Sequence, residues 1–526
     1  MLIKQSLEDW LSQVDYKGLE TDYVPTHFSL MFLNFIKLVN GEQGEDNKTP
    51  ILHLKMLDKL TSNSAYIANL LFRGAAKTTV FMEYLSLYIA VFGELPGFGS
   101  VTGIIYVSDS MDNGVKNARK NIEYRYENSE FLKEWIPKAV FTDKYLEFTN
   151  KQGGRLGIKM FGAKTGIRGT KIFGKRPVLA ILDDLVSDED ANSKASMITI
   201  KDTVYKGVNH ALDPTRRKII FNGTPFNKED VLVEAVESGA WDVNVWPVCE
   251  TFPCTREQFS GAWPDRFSFD FIQSQYNLAV ETGKLSSFYQ ELMIQITSED
   301  ERLVQDDEIR WYSRQQLLSN KQNFNFYITS DFATSDKSKA DFNVISVWAY
   351  NSNGDWFWVD GICARQTMNH TVDDLFRLVQ EYVPLSVGIE VTGQQGGFVS
   401  WLQEEMMNRN IWFNFASNGK GGEAGIRPPV DKLSRFQLVV PWFKAGKFYF
   451  PEELRASVII GVFLQQIRMA TKNGIKGKDD AIDTISMLAY MKAWKPSSTG
   501  VATPNDVRMW DMHETVETSP LSNYIV

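Results

Sequence analysis

The sequence predicts two successive α/β domains, the first built on a mostly parallel sheet and the second on a mixed one. Three observations predict this. Up to about residue 250, short apolar runs alternate with stretches of helical spacing, the pattern of a parallel sheet covered on both faces. From about residue 320, three strands joined by short turns lead into strand–helix units. Between them, residues 251–318 are polar and rich in Ser, Gln, Asp and Glu, and read as a connecting subdomain. A length of 526 residues also favours at least two domains.

The elements follow in order. Residues 1–50 read as mixed helix closing in a polar loop at 41–48. Leu52, Met56, Leu57 and Leu60 have helical spacing. Strands are expected at 65–72, 103–108, 178–182 and 218–221, and helices at 78–92 and 113–126. In the second domain the strands are 325–330, 342–350 and 356–363, with Asn353-Gly354 as a hairpin turn. A helix at 371–382, a strand at 386–391 and a helix at 398–408 follow. The domain expectation is therefore 1–250, a connector 251–318, a second domain 319–495 and a Pro/Ser/Thr-rich flexible tail 496–526.

Composition narrows the function. Hydrophobic residues at 43% exclude a mainly disordered or fibrous chain. A net charge of -9 excludes a bulk basic footprint for nucleic acid. Cys249, Cys254 and Cys363 are too few for a disulfide scaffold, and five histidines offer no zinc spacing. A reducing compartment is expected. The N-terminus carries Glu8 and Asp9 and no apolar h-region, so no signal peptide is expected. No apolar run approaches the ~18–20 residues that span a bilayer.

The turn at 71–79 lies between a strand and a helix. A phosphate-binding loop needs backbone N–H groups around the phosphates, a Lys for the β/γ-phosphates and a hydroxyl for Mg²⁺. Lys77 and Thr78 suit the last two roles, and Arg73 adds a second cation. Both pattern glycines are missing: Leu71 and Ala76 occupy their places, and Gly74 is the one glycine in the turn. The plainer alternative is a helix N-terminus with a chance Lys-Thr pair. Context favours the nucleotide site. The apolar run 177–182 ends in Asp183-Asp184, suited to a Mg²⁺-binding acid and a water-orienting one, with Asp184 one methylene shorter than the usual Glu. Two more strand ends, at Ser108 and at Asn222-Gly223-Thr224, carry polar groups to the same edge, where ligands of open α/β sheets sit.

In the second domain, Asp331 and Glu390 follow apolar strands, and Asp479, Asp480 and Asp483 open an apolar helix. Such acids can converge at one sheet edge, and two-metal phosphodiester hydrolysis needs three or four carboxylates. Asp479 also reads as a helix N-cap.

Taken in order, these motifs resemble the large terminase subunit of tailed double-stranded-DNA phages, over about residues 50–488. The resemblance rests on Pro50 to His53, on Phe72 to Thr79, and on Ile105 to Ser110. It continues through Thr165-Gly166-Ile167-Arg168-Gly169, Leu182-Asp183-Asp184 and Asn222-Gly223-Thr224-Pro225. In the second domain it rests on Ser330 to Ala333, Gly388-Ile389-Glu390, Lys432 to Arg435, Gly446 to Pro451 and Lys478 to Asp483.

The resemblance implies a RecA-like (ASCE) P-loop ATPase domain followed by an RNase H-like nuclease domain. ATP would lie on Arg73, Gly74, Ala75, Ala76, Lys77, Thr78 and Thr79. His53 stands at the place of a base-reading Gln. Mg²⁺ would be held by Thr78 and Asp183. Asp184 would orient the attacking water, and Asn222 and Thr224 would sense the γ-phosphate. Arg73 and Arg168 are the arginine-finger candidates. The nuclease metals, Mg²⁺ or Mn²⁺, would be held by Asp331, Glu390, Asp480 and Asp483, with Asp479 versus Asp480 open. The implied partners are double-stranded DNA, the portal protein of the procapsid, the small terminase subunit and further copies in a pentameric ring, with no membrane. The implied setting is the host cytoplasm, transiently at the portal vertex.

Two short basic stretches offer local DNA contacts in an acidic chain. Residues 163–176 hold five basic residues and no acids, and residues 419–447 hold six basic and two acidic. The candidates are Lys164, Lys171, Lys420, Lys432, Arg435 and Lys447. Two other readings compete. One is a helicase–nuclease of repair or defence. The other is a docking subunit with a decayed ATPase, motivated by Leu71, Ala76 and Asp184.

Overall fold

A computed structural model describes residues 5–16, 23–41, 47–296, 301–332, 342–391, 396–418, 423–427, 429–475 and 478–496. The chain forms two compact units, Met1–Ser298 and Glu299–Val526. The segment 251–318 is divided between them. Its helices Phe269–Glu281 and Leu285–Glu291 lie in the first unit, and its strand Arg310–Tyr312 joins the sheet of the second. Of the expected tail, residues 497–526 lie outside the described residues, as does Lys420.

The first unit carries an eight-stranded sheet among the described residues. Its strands are β1 (Tyr66–Leu71), β2 (Gly103–Ser108), β3 (Lys138–Phe141), β4 (Tyr145–Thr149), β5 (Arg155–Gly162), β6 (Leu179–Asp183), β7 (Lys218–Gly223) and β8 (Asp242–Trp246). Their order is β8-β1-β7-β6-β2-β5-β4-β3. All neighbours are parallel except the β5–β4 and β4–β3 pairs. The strand before the Lys77 turn and the strand ending in Asp183 are separated by β7. This is the additional-strand order of the RecA-like P-loop fold. β2, β6 and β7 are buried at every residue, because helices cover both faces. One face packs on helices Lys194–Asp202 and Val231–Glu237, through Ala180, Leu182, Ile219 and Phe221 against Met197, Ile200 and Leu232. The expected helix 78–92 begins with a π-helical turn, Thr79–Tyr84, and continues as Leu85–Phe92. Strands β3, β4, β5 and β8 were not expected from the sequence.

Among the described residues, the second unit carries a six-stranded sheet. Its strands are β9 (Arg310–Tyr312), β10 (Asn325–Asp331), β11 (Asn343–Tyr350), β12 (Trp356–Ala364), β13 (Ser386–Ile389) and β14 (Phe448–Pro451), in the order β9-β14-β12-β11-β10-β13. β10, β11 and β12 form an antiparallel meander, and β13 runs parallel to β10 on its other side. That is the RNase H-like arrangement. Alternation along β10 sets the two faces. Phe326 and Ile328 enter a core with Val372, Leu375, Phe376 and Val379 of helix Met368–Tyr382. Thr329 instead accepts from Trp348 Nε1 at 2.7 Å. Helix Asp480–Met487 packs on β10 and β11, which brings its N-terminus to the strand ends. No helix among the described residues is long and apolar enough to cross a membrane.

Candidate active sites

The turn after β1 is shaped by two left-handed residues. Gly74 has φ +85° and Ala76 has φ +56°. Ala76 stands at the second pattern-glycine position and keeps the conformation that a glycine would adopt without strain. A Cβ on Gly74 would lie 2.9 Å from Phe267 Cζ. Gly74→Ala is therefore expected to cost about 1–3 kcal/mol of stability, read by thermal denaturation.

The helix that follows starts with Lys77 and Thr78 aimed at the ends of β6 and β7. Lys77 Nζ donates to Thr224 Oγ1 at 2.9 Å and pairs with Asp184 Oδ2 at 3.2 Å. Thr78 Oγ1 donates to Asp183 Oδ2 at 2.6 Å, and Tyr106 OH reaches the same oxygen at 3.3 Å. Asp184 Oδ1 accepts from the Thr224 N–H at 3.1 Å. Asp184 has φ +44°, a strained conformation of the kind found at functional sites. Burial, then the neighbouring Asp184 charge, pushes Asp183 up to about 7, against its contacts with Thr78, Lys77 and Tyr106. Asp183 Oδ1 is buried without a hydrogen-bond partner. A hydroxyl beside an orphaned carboxylate oxygen is a hard-oxygen pair suited to Mg²⁺. These residues line an open pocket with Arg73, Ser108, Asp109, Asn113, Asn117, Gln290 and Glu291.

The other nucleotide-site candidates fall differently. Arg73 lines the pocket and is held by Glu291, whose Oε1 lies 2.8 Å from Arg73 Nη1. Arg168 is exposed, donates to the Lys206 carbonyl at 3.3 Å, and does not line this pocket. Asn222 is fully buried beneath the site rather than open to it. His53 is also buried, not poised to read a base. Its Nε2–H donates to the Ala75 carbonyl at 2.7 Å, and its ring meets Trp263 edge-on at 5.0 Å. It braces the loop from behind.

Burial lowers His53 from 6.5 to about 4, so it is neutral at pH 7. Its folded value lies below its unfolded one, so the unfolded chain binds the extra proton on acidification. Stability present above pH 6.5 is lost as the pH falls toward 4, by about 3 kcal/mol from this group. His53→Gln is expected to flatten that part of the stability–pH curve, measured by denaturant midpoints from pH 7 to pH 4.

In the second unit, Asp331 ends β10, Glu390 follows β13, and Asp480 and Asp483 lie on the first turn of helix Asp480–Met487. Asp331 is pushed well above its ordinary range by burial and then by the charges of Asp483, Asp480 and Glu390. Burial raises Asp483 to about 6, against Lys432 and Arg435. The four acids therefore share one electrostatic field. Mutual repulsion among buried carboxylates fits a divalent cation, which would relieve it. Among the described residues, no three His, Cys, Asp or Glu stand close enough together to hold a metal ion. The acids are engaged elsewhere. Asp480 Oδ2 accepts from the Phe342 N–H at 3.1 Å, Glu390 Oε2 pairs with Arg435 Nη1 at 2.8 Å, and Asp483 Oδ2 pairs with Lys432 Nζ at 2.8 Å. Asp479 caps no helix N–H with its side chain; it accepts from Lys432 at 2.7 Å.

These contacts revise the basic candidates. Lys432 and the buried Arg435 are counter-ions inside the acid cluster, not surface phosphate contacts. Lys447 pairs with Asp355 at 2.9 Å, and Lys164 pairs with Asp190 at 2.8 Å. Lys171 is exposed on the first basic loop. Asp109, Asn113, Asn117 and Glu291 are pocket residues that sequence reasoning missed. The available signal for the first of these was the polar turn directly after Ser108; Glu291 gave none.

No protein-family model matches the chain, and no curated protein matches it. Among solved structures, it is similar to the large terminase of bacteriophage HK97, at 12% identity over 88% of this chain and 99% of that one, TM-score 0.34. It is similar to the ATPase domain of the Thermus phage P74-26 large terminase, at 10% identity over 52% of this chain and 95% of that one, TM-score 0.29. It is also similar to the human cytomegalovirus terminase nuclease domain, at 15% identity over 36% of this chain and 94% of that one, TM-score 0.27.

Proposed function

We propose that this chain is the motor and nuclease subunit of a DNA-packaging machine: it hydrolyses ATP to move double-stranded DNA into a procapsid and cuts concatemeric DNA with a metal-dependent endonuclease. The observation that carries the reading is the constellation of Lys77 and Thr78 on Asp184, Thr224 and Asp183, in one chain with the Asp331 acid cluster. Bound ATP and Mg²⁺ would supply the phosphoryl group and its charge neutralisation. Lys77 and the loop N–H groups hold the phosphates, Thr78 and Asp183 hold the metal, and Asp184 orients water. Thr224 shares Lys77 with Asp184 and so senses whether the lysine is engaged by phosphate. Arg73 is the finger candidate that lies at the pocket; Arg168 suits a role toward a neighbouring copy. In the second unit Asp331, Glu390, Asp480 and Asp483 hold the metals.

DNA contact is assigned to the exposed loop that carries Lys164 and Lys171. The proposed partners are double-stranded DNA, the portal protein, a small terminase subunit and further copies in a pentameric ring; the proposed setting is the host cytoplasm. Packaging with purified procapsids, duplex DNA and ATP tests the reading. DNA protected from nuclease in an ATP-dependent way is expected. Strand separation of a forked duplex without protection would overturn it in favour of a helicase.

A further inference from the structure

One row of polar residues crosses five strands of the first sheet. Asn244 on β8, Asn69 on β1, Asn222 on β7, Asp183 on β6 and Ser108 on β2 are successive register partners. Register partners in parallel strands project to one face. The three asparagines are buried. Asn244 Nδ2 donates to Asn69 Oδ1 at 2.7 Å, and Asn69 Nδ2 donates to Asn222 Oδ1 at 2.8 Å. Asn222 Nδ2 has no hydrogen-bond partner, and neither has Oδ1 of Asp183 on the next strand.

The polarity of this relay is not free. Reversing all three amides would keep both bonds but exchange the unpaired donor of Asn222 for an unpaired acceptor, beside the strand that carries Asp183. A carboxylate on the neighbouring strand favours the donor over the acceptor there, which is the observed direction. Buried amides are expensive to hold in a sheet core, where apolar residues would pack without desolvation loss. This one costs stability and fixes an orientation.

We propose that Asn69 and Asn244 are positioning residues of the nucleotide site, locking Asn222 with its amide donor turned to the Asp183 strand. The proposal rests on the ATPase reading above. Neither residue touches nucleotide; both act through Asn222.

The test uses the full-length chain and the variants Asn69→Ala, Asn244→Ala, Asn222→Ala and the Asn69/Asn222 double. Two readouts are taken: steady-state ATP hydrolysis, and thermal denaturation without nucleotide. Asn69→Ala is expected to lower kcat about tenfold while leaving KM within about twofold. The double variant is expected to be no slower than Asn222→Ala alone, and the nucleotide-free melts should show the same non-additivity. Should Asn69→Ala fail to fold, the isosteric Asn69→Leu and the more peripheral Asn244→Ala carry the test. A lowered melting temperature with unchanged kcat, or effects that multiply in the double variant, would overturn the relay. A wild type that turns over no ATP, with Lys77→Ala indistinguishable from it, would overturn the ATPase reading and the relay's role with it.

Discussion

Asp331→Asn is expected to reduce Mg²⁺- or Mn²⁺-dependent plasmid cutting by at least ~100-fold while leaving ATP hydrolysis unchanged. The residue stands among Asp480, Asp483 and Glu390, whose charges already disfavour its ionised form. Replacing it with a neutral amide removes a metal ligand and also removes repulsion. The folded state should therefore be no less stable, and its melting temperature in the absence of metal should hold or rise. That combination separates a chemical role from a structural one. Chelation of metal should silence wild-type cutting to the same floor. Cutting by pure protein that survives the substitution would place the nuclease centre elsewhere.

Lys77→Ala should lower ATP turnover by about 100- to 1000-fold, measured as phosphate release, with plasmid cutting unaffected. The ammonium is the shared partner of Asp184 and Thr224 and stands beside Asp183. Its loss removes the charge that phosphate would meet and unties the ends of β6 and β7. Lys77→Arg should not rescue. A planar fork cannot occupy a buried point-charge site that accepts bonds from one amine. Full turnover in Lys77→Ala would show that the pocket is not the hydrolytic site.

Much of this was legible in the sequence, for identifiable reasons. β2, β6 and β7 are short, uniformly apolar runs, and such runs announce buried parallel strands. Asp183, Asp331 and Glu390 were visible because a carboxylate at the end of an apolar run is costly unless it has work. The hairpin β3–β4 was not legible, because short, half-exposed strands carry a weak apolar signal. Ala76 shows why the loop was ambiguous. A motif read by glycines samples a backbone conformation through a proxy, and here the conformation persists without the residue. His53, Lys432 and Arg435 were misplaced for one shared reason. Residue type says what a side chain can bond, while its surroundings decide what it does bond, and for these three the partners lie 22 to 51 residues away.

Glu291 holds the phosphate-binding turn twice, once through its carboxylate on Arg73 and once through its carbonyl on the Arg73 N–H at 2.8 Å. The first unit ends at Ser298, seven residues later. Seven residues reach at most roughly 25 Å when fully extended. The turn is thus tied to a helix that lies close in sequence to the end of the first unit. Any displacement of Arg73 would thus pull on Glu291 through two bonds at once, at the end of helix Leu285–Glu291.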